Sequence, residues 1–279
     1  MASDGFHCQS IFGTLFSKYI PHILEKIFFS LDYESYKYCL EVSNEWKGVL
    51  TSERYKAKGK SVFKEEILED EKKLCIAAEQ GSEDEVRMLL SSGMVNVIGE
   101  DNCLQTPLNW AAKRGHKEMT QLLIQCGGDP NVADYDGDTP LHDAASKGHK
   151  EVVQLLIEHG ADPNVPDIDG LTPLYWVAYR DHKEMSQLLI RCGADPNVAD
   201  KHGGTPLNWA AYWGHKEVVQ LLIECGAGVN LASEHGQTPL YSAAQRGHKE
   251  VAKLLIEHGA DMDMADEDGN TPGHYMDWP

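Results

Sequence analysis

The sequence of 279 residues lacks any apolar run that approaches the roughly 20 residues needed to cross a bilayer. It also lacks an N-terminal basic segment followed by an apolar core and a small-residue cleavage site, the pattern of a secretory signal. These absences predict a soluble protein inside the cell, in the cytoplasm or the nucleus. For a chain from a microbe or a virus, they predict the interior of the host cell.

Catalytic and metal-binding motifs are absent as well. The seven cysteines form no CxxC pair, and the chain contains no Gly-rich phosphate loop, nucleophile elbow or HExxH helix. An odd number of widely spaced cysteines fits a reducing compartment better than a disulfide framework. The sequence therefore predicts a non-catalytic protein with no cofactor and no metal site.

Basic residues are too few to balance the acidic ones. The formal net charge is −19, and residues 1–68 hold nine Lys/Arg and nine Asp/Glu, so residues 69–279 carry all of the net charge. An acidic surface repels phosphate backbones. Nucleic acid is therefore not an expected partner, and the lack of an apolar span removes the membrane as one.

What the sequence does contain is an internal repeat. A constant spacing of 33 residues separates six Thr-Pro pairs, which begin at Thr106, Thr139, Thr172, Thr205, Thr238 and Thr271. A period of this length predicts a solenoid, because each unit can bury its apolar face only against neighbouring copies.

Residues 136–166 illustrate one unit. Thr139 can cap a first helix through its hydroxyl, the proline after it suits the first helical position, and Gly148 can end that helix. A wide apolar face predicts a second helix from about His149, which Gly160 stops. The polar stretch that follows, rich in Asp, Asn, Pro and Gly, predicts an extended finger that leads to the next Thr-Pro pair.

This unit closely resembles the ankyrin repeat, whose pattern D-x-x-G-x-T-P-L-H-x-A-A-x-x-G-H-x-E-V-V-x-L-L-L-x-x-G-A-D-x-N is matched almost throughout residues 136–164. The resemblance implies an all-α solenoid of helix-turn-helix repeats with short β-hairpin fingers. Four residues depart from the pattern: Leu104 at the finger Gly, Asp181 at the helix-ending Gly, and Tyr175 and Tyr241 at the usual His. These units are expected to adjust locally and keep the fold.

A different pattern occupies residues 17–55, where large apolar residues recur at helical spacing and predict three short helices. A module of this size is marginal alone, so a partner is expected to cover part of it. The segment resembles the F-box, whose four blocks are matched in order by Ile20-Pro21, Ile27-Phe28 with Leu31-Asp32, Ser35-Tyr36, and Val42-Ser43 with Trp46. The spacing from Pro21 to Ile27 is one residue short, and Tyr36 replaces a usual Leu. The alternative is that these helices only cap the solenoid.

The predicted organisation has six parts. They are a flexible tail (1–16), an F-box-like helical module (17–55), a helical connector (56–73), a degenerate capping repeat (74–100), five full ankyrin repeats (101–267) and a truncated C-terminal repeat (268–279).

Histidines and cysteines recur at fixed repeat positions and invite a metal-binding interpretation. The first set is His116, His149, His182, His215 and His248, and the second is Cys126, Cys192 and Cys225. Equivalent atoms in neighbouring repeats are expected about 10 Å apart, the packing distance of helices. That is too far to share one ion, so a structural role is predicted for both sets.

Positions that vary between repeats predict where a partner binds, because the fold constrains the core and leaves the finger tips and the exposed side of the first helix free. The mixture of Tyr, Trp and Arg found there is typical of interface hot spots. The predicted target-binding residues are Tyr135, Asp136, Asp138, Tyr179, Arg180, Tyr212, Trp213 and Arg246. The centre of the site is expected across repeats three and four. A second trio, Trp110, Trp176 and Trp209, is interpreted mainly as packing between repeats.

One further resemblance concerns the finger asparagines. Asn131, Asn164, Asn197 and Asn230 match the position that asparaginyl hydroxylases modify in some ankyrin proteins, whereas Asp263 does not. Their main predicted role is structural, bracing the turn through hydrogen bonds between side chain and backbone.

Together the two resemblances imply a substrate receptor of a Skp-cullin-F-box ubiquitin ligase. The F-box would bind the Skp-type adaptor through Pro21, Leu24, Ile27, Phe28, Leu31, Val42 and Trp46, and the ankyrin groove would hold a target protein. The alternative function is a non-ligase ankyrin scaffold or inhibitor.

Overall fold

The structure, a computed structural model, describes residues 64–91, 95–101 and 103–276. Its contacts divide the chain into two compact units, Met1–Asp70 with Arg87–Asn96 and Glu71–Val86 with Val97–Pro279. The five full repeats lie in the second unit. The F-box-like module and its predicted adaptor-binding residues lie outside the described residues.

Twelve α-helices and one 3₁₀ turn, Pro272–Tyr275, make up the regular structure of the described residues. The helices are α1 (Lys64–Gln80), α2 (Glu83–Ser91), α3 (Pro107–Arg114), α4 (Lys117–Gln125), α5 (Pro140–Lys147), α6 (Lys150–Glu158), α7 (Pro173–Tyr179), α8 (Lys183–Arg191), α9 (Pro206–Trp213), α10 (Lys216–Glu224), α11 (Pro239–Gln245) and α12 (Lys249–Glu257). From α3 onward they form one pair per repeat, which confirms the predicted helical solenoid. None of the described helices is long and apolar enough to span a bilayer.

The first helix of each full repeat begins where the Thr-Pro pair predicts. The Thr106 hydroxyl accepts the amide N–H of Asn109 at 3.3 Å, while Asn109 Oδ1 accepts the Thr106 amide at 3.0 Å. This reciprocal capping box recurs at Thr205. In the second repeat His142 takes the place of the asparagine in this box, and its Nδ1 accepts the amide N–H of Thr139 at 3.1 Å.

Apolar faces of both helices are buried between neighbouring repeats. The leucine of every full Thr-Pro-Leu start is at most 1% exposed, at Leu108, Leu141, Leu174, Leu207 and Leu240. First helices contact the first helices of adjacent full repeats, and among the second helices α4 packs against α6, α8 against α10 and α10 against α12. Because full burial of one such side chain stabilises the fold by about 2 kcal/mol, a repeat depends on its neighbours for most of its core.

Histidines at the start of the second helices join each repeat to the one before it. Nε2 of His116, His149, His215 and His248 lies 2.9–3.1 Å from a backbone oxygen of the preceding repeat. These contacts give the histidines the structural role that was predicted. His182 lacks the equivalent bond, and Arg180 Nη1 donates to the corresponding Ser146 oxygen at 3.4 Å.

The fingers turn without forming β-strands. In the second repeat the Asp134 amide donates to the Asp138 oxygen at 3.0 Å, and the Ile168 amide of the next finger donates to the Asp136 oxygen at 3.0 Å. The same tip-to-tip bond recurs along the later fingers. A single bond to each neighbour makes no ladder, so the predicted β-hairpin fingers are tight turns throughout the described residues.

The two glycine positions that carry another residue keep the glycine conformation. Leu104 has φ +58° and Asp181 has φ +60°, and they are the non-glycine residues with positive φ in the described part of the chain. The equivalent Gly148 has φ +80° and ends α5. The backbone thus follows the same path at Leu104 and Asp181 as at glycine. These two residues adopt a left-handed conformation that is unfavourable for residues with a side chain.

We expect Asp181→Gly to raise the free energy of unfolding by about 1 kcal/mol, since the substitution relieves an unfavourable backbone conformation. Asp181 forms only a 3.8 Å contact with His215 Nδ1, between partly exposed groups, so little is lost. Gly148→Ala is the matched control. A Cβ there meets nothing closer than 3.8 Å, so only backbone strain should destabilise it. Thermal unfolding followed by circular dichroism measures both, and a destabilised Asp181→Gly protein would contradict the argument.

Candidate target-binding face

Six aromatic side chains from repeats three and four form one connected cluster, called here the aromatic patch. Its members are Tyr175, Trp176, Tyr179, Trp209, Tyr212 and Trp213. Consecutive contacts join Tyr175, Tyr179, Trp213, Tyr212 and Trp209 into a closed ring, with centroid separations of 5.3–6.2 Å. Most of these pairs meet edge to face, a favourable geometry for aromatic rings.

The patch brings together three of the residues predicted for target binding. Tyr179 ends α7 and Trp213 ends α9, and their ring centroids lie 5.5 Å apart across the repeat boundary. Trp213 is 46% exposed, while Tyr179 and Tyr212 are half-buried. An aromatic ring that is already held by its neighbours and exposed at one edge offers apolar area to a partner. Binding then costs little side-chain entropy.

Two arginines flank the patch. The Arg246 guanidinium lies 4.0 Å from the ring centroid of Tyr212, and the Arg180 guanidinium lies 6.0 Å from that of Trp176. Both arginines are exposed. Cation–π contact holds the guanidinium groups beside the rings and leaves their remaining donors free to meet acceptors of a partner.

The tryptophans that were interpreted as packing residues keep part of their surface exposed. Trp209 Nε1 donates to Asp200 Oδ2 at 3.0 Å and Trp110 Nε1 donates to Asp101 Oδ2 at 3.0 Å, so each indole braces the finger of its own repeat. Both rings are nevertheless half-buried. Trp209 also lines a cleft of about 340 Å³ together with Tyr212, Ser242 and the finger residue His235. Sequence reasoning missed this second role because an apolar residue is common at that position.

The predicted finger residues belong to repeat two, outside the aromatic patch. Tyr135 is 73% exposed and Asp136 is exposed, as a finger tip requires. Asp138 is half-buried, and no protein donor reaches its Oδ1 atom. Burial, followed by repulsion from the Asp143 carboxylate, raises the pKa of Asp138 to about 7. Asp138 is therefore only partly charged at neutral pH, which makes it a poor source of steering charge.

The finger asparagines link consecutive repeats through both ends of the amide. Asn131 Nδ2 donates to the Gly160 oxygen at 2.9 Å, and its Oδ1 accepts the Asp162 amide at 2.9 Å. Asn164, Asn197 and Asn230 make the same pair of bonds with the next repeat. The predicted bracing role is present, although it joins two repeats and not one turn. Hydroxylation of these residues stays a prediction.

The repeated cysteines lie in separate repeats. Cys126, Cys192 and Cys225 each follow the second helix of a different repeat. Within the described ranges, no group of three or more His, Cys, Asp or Glu side chains could hold a metal ion.

Comparison with known proteins identifies the repeats. Residues 74–167, 164–233 and 225–276 match the family described as ankyrin repeats. The chain is similar to human protein phosphatase 1 regulatory subunits 12B, at 35% identity over 82 residues, and 12A, at 42% identity over 53 residues. These segments cover 27% and 19% of this chain but only 8% and 5% of those relatives.

A solved structure supports the same conclusion over most of the chain. The ankyrin repeat domain of Bcl-3, a unique member of the IkappaB protein family, superposes with a TM-score of 0.68 and 30% identity. The superposition covers 74% of this chain and 93% of that domain.

We expect Asp138→Asn to remove a pH-dependent loss of stability. The Asp138 carboxyl has a folded pKa near 7 against an ordinary value of 3.8, so the wild type loses stability as pH rises from about 4 to about 7. Asn is neutral like the protonated acid, so the variant does not lose this stability as pH rises. The variant should therefore melt higher than the wild type at pH 8, with the difference shrinking at pH 5. Asp136→Asn, at the exposed tip, is the control, and equal pH profiles for all three proteins would contradict the prediction.

Proposed function

The chain belongs to the ankyrin-repeat family, and from this premise we propose that it is the non-catalytic substrate receptor of a Skp-cullin-F-box ubiquitin ligase. Its repeats form a protein-interaction domain. The order of the four F-box-like blocks in residues 17–55 supports the ligase assignment. The aromatic patch is the observation that carries the assignment of target binding to repeats three and four.

In this proposal the chain works by proximity. The F-box-like module binds the Skp-type adaptor and hence the cullin, while the repeats hold the target. Holding a target lysine near a charged ubiquitin-conjugating enzyme raises its effective concentration, so this chain needs no reacting group of its own.

The aromatic patch suits a target segment that is apolar with some acidic character. Exposed edges of Trp213 and Tyr212 supply apolar area, at roughly 25 cal/mol for each Å² buried. The 340 Å³ cleft beside Trp209 can receive a side chain of the target. Arg180 and Arg246 lie at the border, where their free donors can pair with carboxylates or carbonyl oxygens. Asp136, on the repeat-two finger, adds charge that speeds the encounter with basic segments.

A second function, that of a non-ligase scaffold or inhibitor, is supported by the relatives. The human relatives matched here are named as regulatory subunits of protein phosphatase 1. In that case the N-terminal helices would only cap the stack, and the same groove would bind a partner to regulate it.

We expect Tyr212→Ala/Trp213→Ala to reduce target capture from cell extract by at least about tenfold, at low and at high salt, because it removes apolar hot-spot area. Asp136→Ala should weaken capture only at low salt, since its effect is electrostatic steering that salt screens. Gln220→Ala/Glu224→Ala on α10 of the same repeat is the control and should capture normally. Full capture by the aromatic variant would place the target elsewhere on the chain.

We expect Trp46→Ala to lose capture of the Skp-type adaptor and to keep the circular dichroism of the repeats. Large apolar residues of so small a module cannot all be buried internally, so several must face the adaptor. Deletion of residues 1–60 should give the same loss, and target capture should survive in both proteins. Adaptor capture that persists in both would favour the scaffold or inhibitor function.

A further inference from the structure

One row of equivalent positions coincides with two clefts. The residues spaced by 33 along this row are Trp110, Asp143, Trp176, Trp209 and Ser242. Its two exceptions to tryptophan each line a cleft: Ser242 one of about 340 Å³, and Asp143 one of about 170 Å³. A short side chain leaves the volume that an indole would fill. The second cleft therefore has a carboxylate where its neighbours carry tryptophan.

The Asp143 carboxylate is buried in this cleft and only half satisfied. Its side chain is 8% exposed, and Lys113 Nζ lies 3.5 Å from Oδ1. No protein donor reaches the buried Oδ2, and the same is true of Asp138 Oδ1 in the same cleft. Carboxylate oxygens removed from water need donors, because each buried oxygen without one costs free energy. Two residues that each carry an unsatisfied buried acceptor line the same cleft, which points to a donor supplied from outside.

The cations of the chain itself do not meet this need. Lys147 and Arg180 also line the cleft. Arg180 is directed elsewhere, with Nη1 donating to the Ser146 oxygen and the guanidinium beside Trp176. Among the described residues, Lys113 is the cation within ion-pair distance of either carboxylate, and it reaches one oxygen of Asp143.

The electrostatics of the cleft agree with this geometry. Burial raises the pKa of Asp143 to about 6 in spite of Lys113, and burial with the nearby Asp143 charge raises the pKa of Asp138 to about 7. The charged and titratable groups that face the pair are Lys113 from α3, Asp134, Asp136 and Asp167 from two fingers, His142 and Lys147 from α5, and Arg180 after α7. A cation placed against both carboxylates would stabilise their charged forms, so its binding strengthens as pH rises from about 6 to 8.

We propose that Asp138 and Asp143 form a subsite for one basic side chain, an arginine or a lysine, of the target protein. The cation donates to Asp143 Oδ2 and Asp138 Oδ1, and Trp176 forms part of the cleft wall. This proposal rests on the proposed function, because it assumes a protein target in the groove. The subsite would recognise a positive charge at repeat two and so add to the apolar recognition by the aromatic patch of repeats three and four.

The test uses small cations as probes, so that it does not depend on the target. The full chain is labelled with ¹³C at aspartate carboxyl groups and titrated by NMR in ethylguanidinium chloride, ethylammonium chloride or sodium chloride at equal ionic strength. We expect either organic cation to lower the apparent pKa of Asp138 and Asp143 by about one unit relative to sodium. The shift should saturate, and the exposed Asp169 should not share it.

Asp143→Asn keeps the size of the side chain and should abolish the saturable shift at Asp138, whereas Asp169→Asn should leave it intact. Equal titrations in all three salts would overturn the proposal and leave the carboxylates merely hydrated. A response to inorganic phosphate but not to the cations would overturn it in favour of an anion site on Lys113, Lys147 and Arg180. If the cations bind while the Tyr212→Ala/Trp213→Ala protein still captures its target, the subsite stands and the proposed location of the main site fails.

Discussion

The register of the described repeats depends on hydrogen bonds that hold each repeat against the next. A repeat of two short helices cannot bury both apolar faces alone, so the stack must keep its register for the leucines to interlock. Polar side chains supply that register, since histidines reach back to carbonyl oxygens of the preceding repeat and asparagines reach forward with both ends of their amides. Apolar burial supplies most of the stability, and these directional bonds decide which surfaces meet.

Once the register is fixed, function follows from single positions in the repeat. Equivalent residues fall into rows along the stack, and a row that holds one residue type gives a uniform surface. The row of Trp110 and its equivalents is broken twice, and a cleft opens at each break. Where aromatic residues instead accumulate at neighbouring positions, at the ends of α7 and α9, they touch across the boundary and form the aromatic patch. Specificity in this fold comes from residues that depart from the repeat pattern.

The sequence predicted the repeat length and the helix starts, because these depend on local chemistry that the Thr-Pro pairs reveal. The sequence also predicted that Tyr179 and Trp213 lie in one patch, because residues about one period apart occupy similar positions in neighbouring repeats. It failed at Asp143, because the pattern shows that a tryptophan is missing but not that the carboxylate in its place is buried without enough donors. The strand-like fingers were wrong for a similar reason, since single bonds between turns leave no sequence signal.

The third repeat has two features that bear on local unfolding of the stack. It keeps Asp181 at φ +60° and lacks the histidine bond by which the other full repeats hold the repeat before them. In an array stabilised by neighbours, a weaker joint here would divide the stack into two cooperative blocks. Amide hydrogen exchange would then be faster for segments that meet at this joint than for segments at the other boundaries between full repeats. A target bound to Asp143 on one side and to Trp213 on the other would span the joint and bind the two blocks into a single folding unit.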